Sequence, residues 1–152
     1  MAKSKKSQRS TEESLTQSAE ETRAFGRKLA GRLRPGDCLL LTGELGAGKT
    51  TLVQGLAEGL GLDPKEIISP TFVLIREHDG KIPLFHMDAY RIGNARELLE
   101  VGLAEYFQRS GITVIEWGEK VRGSVPSDAI EILLEIVKGD LRRIRLIRPK
   151  KS

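Results

Sequence analysis

A single cysteine, Cys38, stands among the 152 residues of this sequence. One thiol excludes a disulfide framework within the chain and a cysteine-based metal cluster, and its place in an apolar run predicts a small core residue. No apolar stretch approaches the roughly 18 residues of a membrane-spanning helix, so no membrane span is expected. The lysines near the N-terminus are not followed by an apolar segment, as they would be in a secretory signal.

Acidic side chains outnumber basic ones in the body of the chain, and basic side chains outnumber acidic ones at its ends. Residues 11–139 carry 15 basic and 20 acidic side chains, although the formal net charge of the chain is +4. The basic ends are open to two interpretations: solubilising, disordered tails, or weak, salt-sensitive attraction to a polyanion such as RNA. Neither end interleaves aromatic residues that would stack on bases. The length predicts one domain, which we place at 13–148, between a disordered basic tail at 1–12 and a basic tail at 149–152.

Residues 43–50 read GELGAGKT and match the pattern G-x-x-x-x-G-K-T of a P-loop. In such a loop the glycines let backbone N–H groups turn inward at a helix N-terminus, which makes an anion site. The lysine reaches the β- and γ-phosphates, and the threonine hydroxyl binds Mg²⁺. An apolar run at 37–42 precedes the loop and leucines at 52, 56 and 60 follow at helical spacing, so a strand–loop–helix unit is predicted. The alternative is a glycine-rich turn without a ligand. A dinucleotide-binding motif is excluded, because Thr51 stands where its third glycine belongs.

The rest of the pattern alternates helices and strands. A capping box at 18–21 predicts a helix to about residue 33. Asp79-Gly80 predicts a hairpin between a strand that ends near residue 78 and a strand at 82–90. A helix is expected after Asn94, with further turns at 103–108, then a buried strand at 112–117 and a second hairpin at 129–138 and 141–148. These elements predict an α/β fold: a P-loop NTPase-like three-layer α/β/α arrangement whose mixed sheet includes antiparallel hairpins.

Hydrolysis also needs a carboxylate at the metal, usually from the tip of a neighbouring buried strand. Glu116 ends the apolar run 112–115 and fits that position; the alternative is an ordinary acid at a strand end. Trp117 follows directly and is open to three interpretations: a core residue, a partner contact or a lid near the nucleotide. Thr71 lies in a loop after the P-loop helix, where it either senses the γ-phosphate or belongs to a simple turn.

Asp88 is the second candidate acid. The alternation of a strand puts it on one face with His86 and Tyr90, opposite the apolar side chains at 85, 87 and 89. Asp88 either holds metal-bound or attacking water, or pairs with Arg91 or Arg76. His86 is interpreted as a structural histidine in preference to a metal ligand.

Five spaced motifs together resemble those of one family. GELGAGKTT at 43–51, SPTF at 69–72, HMDAYR at 86–91, ELLEVGLAEYF at 97–107 and VIEWGEK at 114–120 are similar to the TsaE (YjeE) family, small bacterial P-loop ATPases of tRNA threonylcarbamoyladenosine synthesis. The resemblance covers about residues 14–140 and excludes both basic tails. It implies a cytoplasmic protein with ATP and Mg²⁺ as cofactors and with hydrolysis that is weak alone. It also implies assembly with TsaB- and TsaD-like partners, and it leaves room for indirect or weak contact with tRNA.

The motifs and the resemblance together single out a set of site residues. Asp88 and Glu116 are expected to be catalytic, and Thr50 and Glu116 are expected to bind the metal. The expected nucleotide-binding positions are Glu44, Leu45, Gly46, Ala47, Gly48, Lys49, Thr50, Thr51 and Trp117.

Other functions share the P-loop. A small-molecule kinase usually carries an arginine-bearing lid, and Arg91, Arg96, Arg109 and Arg122 form no recognisable lid cluster, although this alternative stays open. A GTPase is excluded, because Asn94 is the only asparagine and alanine follows it, so the guanine-selecting pattern N-K-x-D is missing. A nucleotide-binding subunit that never hydrolyses also remains open.

Overall fold

The computed structural model describes residues 9–44, 46–67, 75–89, 102–117 and 123–149. Three helices lie within these ranges, α1 (Ala19–Ala30), α2 (Lys49–Gly59) and α3 (Leu103–Gln108), with a 3₁₀ turn at Pro64–Glu66. The seven strands are β1 (Arg9–Thr16), β2 (Cys38–Thr42), β3 (Ile75–His78), β4 (Leu84–Asp88), β5 (Ile112–Glu116), β6 (Ile130–Lys138) and β7 (Leu141–Pro149). They form a seven-stranded sheet in the order β1-β7-β6-β2-β5-β4-β3.

The centre of this sheet is parallel and its margins are antiparallel. β2 runs parallel to β5 and β6, and β4 runs parallel to β5. The predicted hairpins form on either side, β3 with β4 and β6 with β7, and β1 pairs antiparallel with β7. Because the carboxyl ends of β2, β4 and β5 share one edge, the residues that end these strands come together there.

Helix α1 begins at the predicted capping box. The Glu21 N–H donates to Ser18 Oγ at 3.1 Å, and the Glu21 carboxylate accepts from the Gln17 N–H at 2.8 Å. In a capping box this carboxylate usually accepts from the N–H of the N-cap residue, Ser18, whereas here it accepts from the N–H of the preceding residue, Gln17. The helix ends at Ala30, short of the predicted residue 33, because the N–H groups of residues 31–33 donate to carbonyl oxygens three residues earlier, as in a 3₁₀ turn, and not four residues earlier.

Helices α1 and α2 lie on one face of the sheet and approach each other closely. A Cβ at Gly55 would lie 1.9 Å from the Arg23 carbonyl oxygen, and one at Gly26 would lie 2.2 Å from the Leu52 carbonyl oxygen. No side chain fits at either contact, so the glycines set the distance between the two helices. The core between these helices and the sheet includes Leu29, Leu39, Leu41, Leu52, Val53, Leu56, Leu84, Val114, Ile132 and Ile144.

Helix α3 covers the other face. Leu103 packs there with Cys38, Phe85, Met87 and Ile115 in a second buried cluster. Burial raises the pKa of the Cys38 thiol to about 12, which confirms an inert core residue. With helices on both faces, the predicted three-layer α/β/α fold is confirmed.

The domain is larger than predicted at both ends. Residues 9–12, predicted as part of a disordered tail, instead belong to β1, where Arg9 pairs with Pro149. The stretch is polar because β1 is an edge strand. Little apolar surface is buried there, and ion pairs such as Arg145–Glu13 at 3.1 Å contribute to the pairing of β1 with β7. Pro149, predicted to begin the C-terminal tail, is the last residue of β7. Residues 1–8 and 150–152 lie outside the described ranges.

Of the remaining sequence predictions, some match the structure and others lie outside the described residues. Strand β4 covers Leu84–Asp88, shorter than the predicted 82–90, and α3 confirms the turns expected at 103–108. The helix predicted after Asn94 and the loop around Thr71 lie outside the described residues. None of the described helices is long and apolar enough to cross a bilayer.

Candidate functional site

The P-loop lies between the end of β2 at Thr42 and the start of α2 at Lys49. Gly46 and Gly48 have φ angles of +84° and +107°, a left-handed backbone that glycine adopts without steric cost. Gly48 caps α2 without a side-chain hydrogen bond, so the first N–H groups of the helix remain available to an anion. The predicted strand–loop–helix unit is present.

The ammonium of Lys49 is held within this loop. The residue is 6 % exposed, and its Nζ donates to the carbonyl oxygen of Gly43 and, at 3.2 Å, to that of Glu44. Nζ also lies 4.5 Å from the centre of the Trp117 ring, within the range of a cation–π contact. A phosphate oxygen can replace these carbonyl acceptors, so Lys49 is positioned for the role that the motif predicts.

The tip of β5 lies opposite the P-loop. Glu116 and Trp117 line a cleft of about 260 Å³ together with Gly46, Gly48, Lys49, Thr50 and Thr51. Parallel pairing of β2 with β5 brings the two segments together, since Leu41 is the register partner of Glu116. Trp117 has a φ of +60°, which is uncommon for a bulky side chain and is found at functional sites. The structure thus joins two motifs that are 65 residues apart.

Asp88 lies next to Glu116 at the same edge. The two residues are register partners in β4 and β5, and they are only 7 % and 4 % exposed. The predicted face alternation is confirmed, because Phe85, Met87 and Ala89 enter the core cluster on the opposite side of the sheet. Tyr90 and Arg91 lie outside the described residues, so the alternative pairing of Asp88 with Arg91 stays a prediction.

His86 has a closer link to the site than the sequence indicated. It is fully buried, and its Nε2 lies 2.5 Å from Glu116 Oε2. Where Glu116 is a carboxylate it accepts this hydrogen bond, and Nε2 of His86 is then the donor. His86 Nδ1 is buried and has no hydrogen-bond partner among the described residues. The interpretation of His86 as a structural histidine is confirmed by its burial and by this hydrogen bond, and the acid that it contacts is one of the two candidate site acids.

A second cavity lies on the other side of the P-loop. It measures about 210 Å³ and is lined by the N-terminal end of α1, by Asp140 and Arg142 of the β6–β7 hairpin, and by the loop itself. Arg142 donates to the carbonyl oxygens of Ala47 at 3.2 Å and Gly46 at 3.3 Å. Sequence reasoning missed Arg142, because it lies 95 residues from Ala47 and no local pattern links the two.

The donor set in the cleft fits Mg²⁺. Thr50 and Glu116 line the same space, and Mg²⁺ prefers hard oxygen ligands, of which a protein commonly supplies only one or two. Within the described ranges no group of three or more His, Cys, Asp or Glu side chains could hold a metal. Leu45 and Thr71, both predicted near the nucleotide, lie outside the described residues.

Comparison with known proteins agrees with this geometry. Residues 16–144 match the family model "Threonylcarbamoyl adenosine biosynthesis protein TsaE". The chain is 42 % identical to the tRNA threonylcarbamoyladenosine biosynthesis protein TsaE of Bacillus subtilis over 130 residues, 85 % of this chain and 80 % of that protein. It is 38 % identical to the protein of the same name from Treponema pallidum over 130 residues, 86 % of this chain and 96 % of that protein. The crystal structure of Bacillus subtilis YdiB superposes with a TM-score of 0.78 at 35 % identity, covering 93 % of this chain and 87 % of that one.

Proposed function

The chain belongs to the TsaE family, and we propose that it is the Mg²⁺-dependent ATPase subunit of tRNA threonylcarbamoyladenosine biosynthesis. One observation carries the proposal: a single cleft brings the P-loop residues Lys49 and Thr50 together with Glu116 and Trp117. The pathway comes from the relatives, which are named for it. The nucleotide chemistry comes from the site.

Each residue of the cleft has a role that its surroundings support. The N–H groups at the start of α2 bind the phosphates, and Lys49 exchanges its carbonyl acceptors for β- and γ-phosphate oxygens. Thr50 and Glu116 would hold Mg²⁺, which would neutralise charge on the phosphates. Asp88 is not among the residues that line the cleft, but it is the register partner of Glu116, and we infer that it orients water at the metal or at the phosphate.

The second cavity suits the nucleoside. It shares Gly46, Gly48 and Thr51 with the catalytic cleft but lies on the other side of the loop. A nucleotide bound through its phosphates can therefore direct its ribose and base toward α1 and Arg142. Arg142 fixes the loop that separates the two spaces.

The composition of the cleft supports dependence on other proteins. Among the described residues that line it, Lys49 is the one basic side chain and no arginine is present. P-loop enzymes often receive a further cation in trans, and its arrival accelerates hydrolysis by orders of magnitude. We therefore infer weak turnover alone and stimulation by TsaB- and TsaD-like partners in the cytoplasm.

Calorimetry with ATP tests the binding site. Wild-type protein is expected to bind ATP, and Lys49→Ala is expected to lose productive binding, since the loop then lacks its ammonium. Lys65→Ala, an exposed lysine on the 3₁₀ turn, is the matched control and should bind normally. Equal binding of ATP by wild type and Lys49→Ala would contradict the assignment of residues 43–50 as a nucleotide-binding P-loop.

Phosphate release then separates the functions. Stimulation by TsaB- and TsaD-like proteins, and not by a panel of metabolites, is the result expected of the proposed ATPase. Stimulation by a metabolite together with formation of a phosphorylated product would establish a kinase instead. ATP binding without phosphate release, even with partners present, would establish a subunit that binds nucleotide and does not hydrolyse it.

A further inference from the structure

The second cavity beside the P-loop holds a carboxylate that the proposed function has not yet used. The start of α1, the P-loop, the first turn of α2 and the β6–β7 hairpin form its walls, and Asp140 is the acid among the described residues that line it. The cavity measures about 210 Å³, whereas a site for a whole drug-sized ligand usually measures about 300–1,000 Å³. It therefore suits one part of a nucleotide and not the whole molecule.

The hydroxyl groups that line this cavity are already engaged. Ser18 Oγ accepts the Glu21 N–H at 3.1 Å and so caps α1. Thr22 Oγ1 shares a hydrogen bond of 2.7 Å with Thr16 Oγ1. Thr51 lies in the first turn of α2, where the phosphates of a nucleotide would bind. A further polar contact to a ligand therefore has to come from the hairpin.

The hairpin contributes Arg142 and Asp140, and only the arginine is engaged by the P-loop. The Arg142 guanidinium donates to backbone carbonyl oxygens of the P-loop and of the hairpin turn, and none of these bonds goes to the Asp140 carboxylate. Its bond to the Gly139 carbonyl oxygen, at 2.5 Å, ties the residue before Asp140 to the group that holds the P-loop. The carboxylate is therefore held at a fixed position beside the loop and is available as an acceptor.

Charge decides which part of a nucleotide can contact Asp140. An ionised carboxylate repels phosphate groups and accepts hydrogen bonds without donating any. The 2′- and 3′-hydroxyl groups of ribose are neutral donors, and an acidic side chain is a common partner for them in nucleotide-binding folds. Ribose follows the α-phosphate directly, so it is the part of the nucleotide that would enter a cavity lined by Gly48 and Thr51.

We propose that Asp140 accepts hydrogen bonds from the ribose hydroxyl groups of the bound nucleotide and makes the site selective for ribonucleotides over deoxyribonucleotides. This inference rests on the proposed function, because it assumes that the P-loop binds the phosphates of ATP. Asp140 is exposed, so its carboxylate stays hydrated until a nucleotide covers it. Its role is specificity and not hydrolysis, since it lies outside the cleft that contains Thr50 and Glu116.

Calorimetry with four ligands tests the proposal: ATP, 2′-deoxy-ATP, 3′-deoxy-ATP and tripolyphosphate. Wild-type protein is expected to bind ATP about tenfold more tightly than at least one of the deoxy analogues, the effect of one hydrogen bond to a charged group. Asp140→Ala is expected to lose this preference, because its affinity for ATP falls to that for the analogue. Tripolyphosphate has no ribose, so wild type and Asp140→Ala should bind it about equally.

Three further variants separate the ribose contact from other effects. Asp140→Asn retains one acceptor and a residue type that favours turns, and it should show an intermediate preference. Asp79→Ala removes an exposed acid from the turn between β3 and β4; it is the matched control and should behave as wild type. Arg142→Ala loosens the P-loop and should weaken the binding of ATP and of both deoxy analogues alike. Thermal melting of each preparation reports whether the hairpin remains folded.

The outcomes distinguish this inference from the proposed function. An equal preference for ATP in wild type and in a folded Asp140→Ala variant would overturn the ribose contact. Equal binding of ATP and both deoxy analogues by wild type would also overturn it, and the ATPase proposal would stand. Tighter binding of all four ligands by Asp140→Ala, with the preference retained, would show that Asp140 acts only through its charge. Failure of wild type to bind ATP would contradict the proposed function and this inference with it.

Discussion

Replacement of His86 by leucine tests whether the hydrogen bond from His86 positions the carboxylate of Glu116. His86 is fully buried, and its Nε2–H donates to the Glu116 carboxylate at 2.5 Å. Leucine has a similar volume and leaves no large cavity, but it cannot donate. The substitution therefore removes one hydrogen bond from a carboxylate that is 4 % exposed, with little change in packing.

Two effects of different size are expected. A buried acceptor that loses its donor costs about 1–3 kcal/mol, and for a domain of this length each kcal/mol lowers Tm by roughly 2–4 °C. The loss of a hydrogen-bond partner behind a metal ligand typically weakens metal affinity by about 10- to 100-fold. His86→Leu should therefore melt several degrees lower and should need far more Mg²⁺ for half-maximal turnover.

The assay is a Mg²⁺ titration of ATP hydrolysis in the presence of stimulating partners, together with thermal melting. His86→Gln is the matched variant, because its side-chain amide can donate to Glu116. It should recover much of the Mg²⁺ affinity even if it does not recover full stability. ATP binding measured in EDTA reports on the P-loop alone and should be unchanged in both variants.

The outcome that refutes this reasoning is specific. A lower Tm with an unchanged Mg²⁺ requirement in His86→Leu would show that His86 only stabilises the fold. An equal loss of Mg²⁺ affinity in the leucine and glutamine variants would show that the hydrogen bond to Glu116 is not what positions the acid.

Further predictions concern neighbouring parts of the site and its support. Glu116→Ala should lower Mg²⁺-dependent turnover much more than ATP affinity, as measured by phosphate release and calorimetry; unchanged stimulated release would reduce Glu116 to a strand-end acid. Asp88→Asn should keep ATP binding and cut hydrolysis by about 10²- to 10⁴-fold; a lower Tm with normal turnover per folded molecule would instead indicate a structural pairing. Arg142→Ala removes two hydrogen bonds from the P-loop carbonyls, each worth about 1 kcal/mol; ATP binding should weaken about tenfold, and an unchanged Kd would contradict that support. Gly55→Ala places a Cβ 1.9 Å from a backbone oxygen of α1; it should destabilise the protein by about 1–3 kcal/mol or more in denaturant unfolding, whereas Gly123→Ala, where a Cβ meets nothing within 4 Å, should not.

The sequence alone determined the parts of this protein that local pattern encodes. Its glycine spacing and flanking apolar residues predicted the strand–loop–helix around Lys49, and its period-two alternation placed Asp88 opposite the buried side of β4. Apolar runs predicted most strands, since a buried strand needs apolar side chains over its whole length. Strand β1 was not predicted from the sequence, because an edge strand can be polar and then carries no apolar pattern.

The tertiary structure decided which of these parts meet. Strand order in the sheet sets β5 between β2 and β4, and this order brings Glu116 to Lys49 and His86 to Glu116. Pairing of β1 with β7 brings Arg9 to Pro149, and the β6–β7 hairpin brings Arg142 to the P-loop. These contacts join residues 30 to about 140 positions apart. They depend on how the central strands bury both of their faces against neighbouring elements. A local sequence pattern records which face of an element is apolar, but not which element will cover that face.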